Sequence, residues 1–147
     1  MSKHISHNAQ QTEQFGAALG SRLQPGDFIA LFGKMGTGKT TFINGVAKGM
    51  GIVDFVSSPT FALIHEYAGV IPLYHFDMYR INSWDDLYST GYFDYCESKG
   101  VIAVEWSENI EMALPATFIK VELIAGQDVE ERRILITEEN NIENTRC

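Results

Sequence analysis

Apolar positions along the chain recur with two periods. Within residues 10–23, Phe15, Ala18, Leu19 and Leu23 return at helical spacing, which predicts an amphipathic helix. Gln24-Pro-Gly-Asp27 reads as a turn, and Phe28-Ile-Ala-Leu-Phe32 is an unbroken apolar run of strand length, of the kind buried inside an α/β sheet. A second helix is expected over residues 39–50, with Phe42, Ile43, Val46, Ala47 and Met50 as its buried stripe and Gly49 and Gly51 as its stop. Residues 60–67 and 71–76 are rich in aromatic and aliphatic side chains on either side of Ala68-Gly69-Val70, which predicts a hairpin or two adjacent strands. Ser83, followed by Trp84 and the acids Asp85 and Asp86, has the form of a capped helix start. Residues 92–99 are expected to be helical, residues 101–104 to form another buried strand, and residues 118–124 and 132–137 to alternate as a late antiparallel pair. Residues 1–9 are polar and expected to be loose, as is the tail from Glu138. The predicted fold class is α/β, a mixed parallel and antiparallel sheet flanked by helices.

Composition adds boundaries. The 147 residues suit one domain, read here as 1–137 with a flexible polar tail over 138–147. Two cysteines, Cys96 and Cys147, form neither a disulfide framework nor a metal-ligand cluster. Apolar runs are too short to cross a bilayer and the start lacks the apolar stretch of a secretory signal, so a cytoplasmic, membrane-free location is expected. Eleven basic against 19 acidic residues leave a net charge of −8, which argues against a broad nucleic-acid-binding surface. An acidic chain can still bind a small anion through a focused site.

That focus lies at Gly33-Lys-Met-Gly-Thr-Gly-Lys39-Thr40, which matches the phosphate-binding loop pattern in full and stands between a predicted strand and a predicted helix. Glycines let successive backbone N–H groups turn inward towards phosphate oxygens, and the following helix adds the positive end of its dipole. Lys39 can reach the β- and γ-phosphates, and the Thr40 hydroxyl can ligate Mg²⁺. Gly33, Met35, Gly36, Thr37, Gly38, Lys39, Thr40 and Thr41 are therefore candidate nucleotide-binding residues. Charge agrees: between Asp27 and Val53 three lysines stand against one acid. A hydrolase of this class also needs an acid near the metal and a group that positions water. Glu105 ends the strand 101–104 and is the candidate metal carboxylate; Asp77, closing another apolar run, is a second. His75 reads as a structural strand histidine, and Arg80 as either an internal arginine finger or an ion-pair partner of nearby aspartates.

These residues carry a resemblance. Gly33-Lys-Met-Gly-Thr-Gly-Lys-Thr-Thr-Phe42, Ser58-Pro-Thr-Phe61, His75-Phe-Asp-Met-Tyr-Arg80 and Val104-Glu-Trp106 follow one another in the order and spacing of the TsaE (YjeE) family of small bacterial P-loop ATPases, over roughly residues 10–133. The resemblance implies an ATP- and Mg²⁺-dependent ATPase fold and activity serving threonylcarbamoyladenosine modification of tRNA. It implies action with the TsaB–TsaD complex, so that tRNA is met only indirectly. On this resemblance Lys39 holds phosphates, Thr40 and Glu105 serve Mg²⁺, and Asp77 activates or orients water as a metal-site or catalytic group. Ser58 and Thr60 would lie in a switch-like segment, while Thr12 and Arg133 would stand near the nucleotide. Lys34 departs from the Asp or Glu common at its position.

Two other classes share the loop. A small nucleotide or metabolite kinase usually needs several arginines to clamp a second substrate, and after the loop helix only Arg80, Arg132, Arg133 and Arg146 are available. A guanine-reading switch would need the N-K-x-D tetrapeptide, which is absent, so adenine is favoured. The segment 77–111 holds eight acids against Arg80 and Lys99, a solvated face that could also meet a basic partner.

Overall fold

The computed structural model describes residues 2–53 and 64–140. Seven strands form one sheet: β1 (Ser2–Ser6), β2 (Phe28–Phe32), β3 (Ile64–Tyr67), β4 (Leu73–Asp77), β5 (Val101–Glu105), β6 (Thr117–Ala125) and β7 (Arg132–Asn140), in the order β1-β7-β6-β2-β5-β4-β3. The four central strands β6, β2, β5 and β4 run parallel, and both edges are closed by antiparallel pairs. The helices are α1 (Ala9–Gly20), α2 (Lys39–Gly49), α3 (Trp84–Ser89) and α4 (Tyr92–Cys96), with a 3₁₀ segment at Ser107–Ala113.

The apolar runs Phe28–Phe32 and Val101–Glu105 are buried at every position, because each of these central strands is covered on both faces. Period-two alternation then sorts their side chains. Ile29, Leu31, Leu73, Val101 and Ala103 pack beneath α1 and α2, while Phe28, Ala30, Phe76, Ile102 and Val104 pack against Leu87, Tyr92, Ile110 and Ala113 on the other side.

The expected hairpin is present as the antiparallel pair β3–β4, although residues 60–63 of its predicted first strand lie outside the described residues. Ser83 caps α3, its side chain accepting from Asp86 N–H. Two expectations change. Residues 2–6 are not loose: they form β1, paired in register with β7 from Ser2↔Ile136 to Ser6↔Arg132. The strand β7 runs through Asn140, past the expected start of the tail. Among the described residues no helix is long and apolar enough to cross a membrane.

Contact between α1 and α2 also differs from the predicted stripe. Ala18 is exposed, and the buried positions on α1 are Thr12, Gly16, Leu19 and Gly20. A Cβ on Gly16 would stand 2.2 Å from the Phe42 carbonyl oxygen, and one on Gly45 2.0 Å from that of Glu13. The helices therefore meet backbone to backbone through glycines on both sides, and an apolar count overlooks residues that pack by having no side chain. Glu13 hydrogen-bonds Asn44 and pairs with Lys48 beside this contact.

Candidate functional site

In an open sheet of parallel strands, ligands gather at the carboxyl ends, where the loops diverge. Here β2 delivers the Gly-rich loop, β4 delivers Asp77 and β5 delivers Glu105 to that end. Asp77 and Glu105 are direct register partners across the β4–β5 pair. They project from the face that carries α2, so both carboxylates meet the first turn of the helix the loop begins.

The loop's path demands glycine at two points. Gly38, the N-cap of α2, has φ +94°, a conformation that side chains rarely adopt. A Cβ on Gly33 would lie 2.7 Å from Thr37 Oγ1 and 2.8 Å from the Leu123 carbonyl oxygen. The loop is pinned from three directions. Thr37 Oγ1 donates to the Lys34 carbonyl at 2.8 Å, Gly33 N–H donates to Glu108 at 3.0 Å, and Arg132 donates to the Thr37 and Gly36 carbonyls at 3.1 and 3.0 Å.

Lys39 is buried, and its Nζ donates to the Gly33 carbonyl at 2.5 Å while lying 3.7 Å from the centroid of the Trp106 ring. Burial lowers its pKa from the ordinary lysine value, and Glu108, Glu105 and Asp77 work in the opposite direction. Thr40 Oγ1 donates to both oxygens of Glu105 at 3.2 Å. Glu105 also meets the buried His75, whose Nε2 is 2.5 Å from Oε2. Asp77 accepts from Tyr79 N–H at 3.0 Å, and its pKa is raised, chiefly by burial, with the Glu105 charge adding to the effect.

Trp106 has φ +59° and ψ +42°, the one positive-φ residue other than glycine among the described residues. Left-handed backbone costs an L-residue about 1–2 kcal/mol, so its surroundings must hold it. The reversal lays the Trp106 ring over Lys39, with the Tyr79 ring centroid 5.0 Å away. Asn109 secures the turn by donating to the Met78 and Tyr79 carbonyls.

Lys39, Thr40, Asp77, Tyr79, Glu105 and Trp106 line a cleft of about 570 Å³. Of the sequence-predicted residues, Thr12, Met35, Gly36, Gly38, Lys39, Thr40, Thr41, Asp77 and Glu105 line it. Thr12 arrives from α1, its hydroxyl 2.7 Å from that of Ser6 in β1. Ser58 and Thr60 lie outside the described residues. Arg133 is a correction: it is exposed, and the adjacent Arg132 lines the cleft and holds the loop. Successive strand residues face opposite sides, so a shift of one position exchanges the two arginines. Arg80 is exposed and outside the cleft lining. The contacts that give His75, Tyr79, Glu108 and Arg132 their places join segments far apart in the chain, and the one local signal is the placement of His75 two residues before Asp77.

Arg132 makes four hydrogen bonds to carbonyls, two on the loop and two on its own turn. Arg132→Ala is expected to lower stability by about 1–2 kcal/mol, given the modest net value of each partly exposed bond. Arg133→Ala should leave it within a few tenths. Urea unfolding of the two variants checks the contrast, and equal losses would remove Arg132 as the loop's anchor.

Thr40, Glu105 and Asp77 are the side chains that could hold a hard divalent cation such as Mg²⁺. Among the described residues no three His, Cys, Asp or Glu side chains are grouped to hold a metal alone. One hydroxyl and two carboxylates beside a phosphate loop fit instead a hard cation that takes its other oxygens from phosphates and water.

The family model for threonylcarbamoyl adenosine biosynthesis protein TsaE matches residues 6–134. A tRNA threonylcarbamoyladenosine biosynthesis protein TsaE from Bacillus subtilis (strain 168) is 39% identical over 135 residues, 91% of this chain and 84% of that relative. One from Treponema pallidum (strain Nichols) is 36% identical over 119 residues, 81% of this chain and 88% of the relative. The crystal structure of Bacillus subtilis YdiB is similar at a TM-score of 0.78 and 34% identity, covering 95% of this chain and 85% of that one.

Proposed function

Because the chain belongs to the TsaE family of tRNA threonylcarbamoyladenosine biosynthesis, we propose that it binds Mg²⁺–ATP in this cleft and hydrolyses it. The activity serves that tRNA modification through a TsaB–TsaD complex, with tRNA held by the partners. The observation that carries this reading is the convergence of Lys39, Thr40, Glu105 and Asp77 at the start of α2. Phosphates would meet the backbone N–H groups of residues 36–41 and the Lys39 ammonium. Thr40 and Glu105 would hold Mg²⁺, which when bound neutralises charge on the β- and γ-phosphate oxygens.

The chain's own acid–base work falls to Asp77. Its raised pKa makes the ionised carboxylate a better proton acceptor than an ordinary aspartate. The Tyr79 N–H fixes one oxygen and leaves the other for a water proton. Trp106 and Tyr79 wall the cleft beside it, and the exposed Met35 stands at its mouth.

Phosphate release should be slow for the chain alone and should rise with the partner complex. Release only as a phosphorylated small-molecule acceptor would instead assign a kinase. Asp77→Asn should lose turnover by about 100-fold or more, the size of one acid–base group, while ATP still binds. The sign of its effect on stability is opposite. The folded pKa is raised, so ionised Asp77 disfavours folding at neutral pH and Asn, which keeps the oxygen that accepts from Tyr79, should not lower the melting temperature. As pH falls through that raised pKa, the folded wild type takes up the proton, the two proteins converge in stability and wild-type turnover declines. A pH series of melting curves and phosphate-release rates checks both signs.

A further inference from the structure

His75 is fully buried on a central strand, where an apolar residue would be the cheaper occupant. Its Nε2 reaches Glu105 Oε2 at 2.5 Å, and its Nδ1 has no hydrogen-bond partner among the described residues. The ring is thus held by a hydrogen bond from one side only. An ionised carboxylate can only accept, so the geometry puts the proton on Nε2. The register explains the reach: His75 lies beside Ala103, whose one-carbon side chain leaves room for the imidazole to slant along the sheet to Glu105. Thr40 holds the same carboxylate from the helix side at 3.2 Å from each oxygen.

Resting on the proposed Mg²⁺–ATP reading, we infer that His75 is a positioning residue: it clamps the Glu105 carboxylate in the orientation that accepts the metal. The ring touches neither nucleotide nor reacting atoms. Its effect passes through Glu105 alone, as with groups that orient a metal ligand from behind.

The test uses the full-length chain and titrates a non-hydrolysable ATP analogue by calorimetry in Mg²⁺ and in EDTA. His75→Leu should weaken binding in Mg²⁺ by about 10–100-fold, the usual cost of losing an outer partner of a metal ligand, and by no more than about twofold in EDTA. His75→Gln, whose amide N–H can stand where Nε2 does, should restore the Mg²⁺ effect; His75→Asn, too short to reach Glu105, should not. In the nucleotide-free wild type, a slowly exchanging imidazole N–H resonance should move in Glu105→Gln, which reads the contact even where His75→Leu does not fold. Equal losses in Mg²⁺ and EDTA without rescue by Gln, or an imidazole resonance indifferent to Glu105→Gln, overturn the clamp. A wild type whose binding ignores Mg²⁺ overturns the underlying reading and the clamp with it. A Mg²⁺-responsive wild type with a folded His75→Leu that gains as much from Mg²⁺ as the wild type overturns the clamp alone.

Discussion

Lys39→Ala is expected to reduce ATP hydrolysis by at least 100-fold, and to weaken ATP binding as well, while the chain stays folded. A single preorganised donor at a charge-developing centre is commonly worth 10²–10³ in rate. Here the loss is compounded by what remains. Glu105, Asp77 and Glu108 all act on Lys39, and without the ammonium these three carboxylates face an incoming polyphosphate with no opposing charge from that position. Stability should change little, because burial leaves the Lys39 pKa lowered despite the nearby carboxylates, so the charged ammonium is a net cost to folding that its removal relieves. Lys39→Arg is expected to fail too. The space between the Gly33 carbonyl at 2.5 Å and the Trp106 centroid at 3.7 Å is set for a compact ammonium, and a planar guanidinium is wider. Phosphate-release assays and calorimetric titration with ATP measure the effect; turnover within tenfold of wild type would falsify the assignment of Lys39.

Gly45→Ala should destabilise the fold by about 3 kcal/mol, at the upper end of the overpacking range, and lower the melting temperature by about 10 °C. The new Cβ would stand 2.0 Å from the Glu13 carbonyl oxygen and 2.8 Å from its carbon, both of them backbone atoms that no rotamer change can move. Relief requires α1 to withdraw from α2. Propensity alone predicts the reverse, a gain of about 1 kcal/mol for Ala over Gly inside a helix, so the sign separates the two accounts. Gly49, whose Cβ would meet the Ala17 carbonyl at 2.1 Å, should behave in the same way. Because α1 carries Thr12 to the cleft, the variant should also bind ATP more weakly than its remaining folded fraction explains. Thermal melts followed by titration at a temperature where the variant is folded separate the two losses.

Phe28–Phe32, the loop and α2 were legible because each depends on neighbours in sequence: a short apolar run, glycines where φ is positive, and a stripe of Phe42, Ile43, Val46 and Ala47. β1 was not legible. Ser-Lys-His-Ile-Ser has little apolar character, and its strand state comes from pairing with β7 some 130 residues away. The α1 face was misplaced at Ala18 because the contact is made by Gly16 and Gly20, which no hydrophobic count weights.

Residue type and short spacing carry the α/β class, the Gly-rich loop pattern, the two carboxylates at strand ends and membership of the TsaE family. That Arg132 and not Arg133 holds the loop, that Glu108 and Trp106 close on Gly33 and Lys39, and that His75 lies behind Glu105 follow from the folded arrangement of distant segments. For Arg132 and His75 this depends on the face a side chain takes within a paired sheet, which one residue of register reverses, whereas Trp106 and Glu108 are placed by the left-handed turn and 3₁₀ segment after β5. Chemistry was local; the geometry that makes it a site was set by strand order.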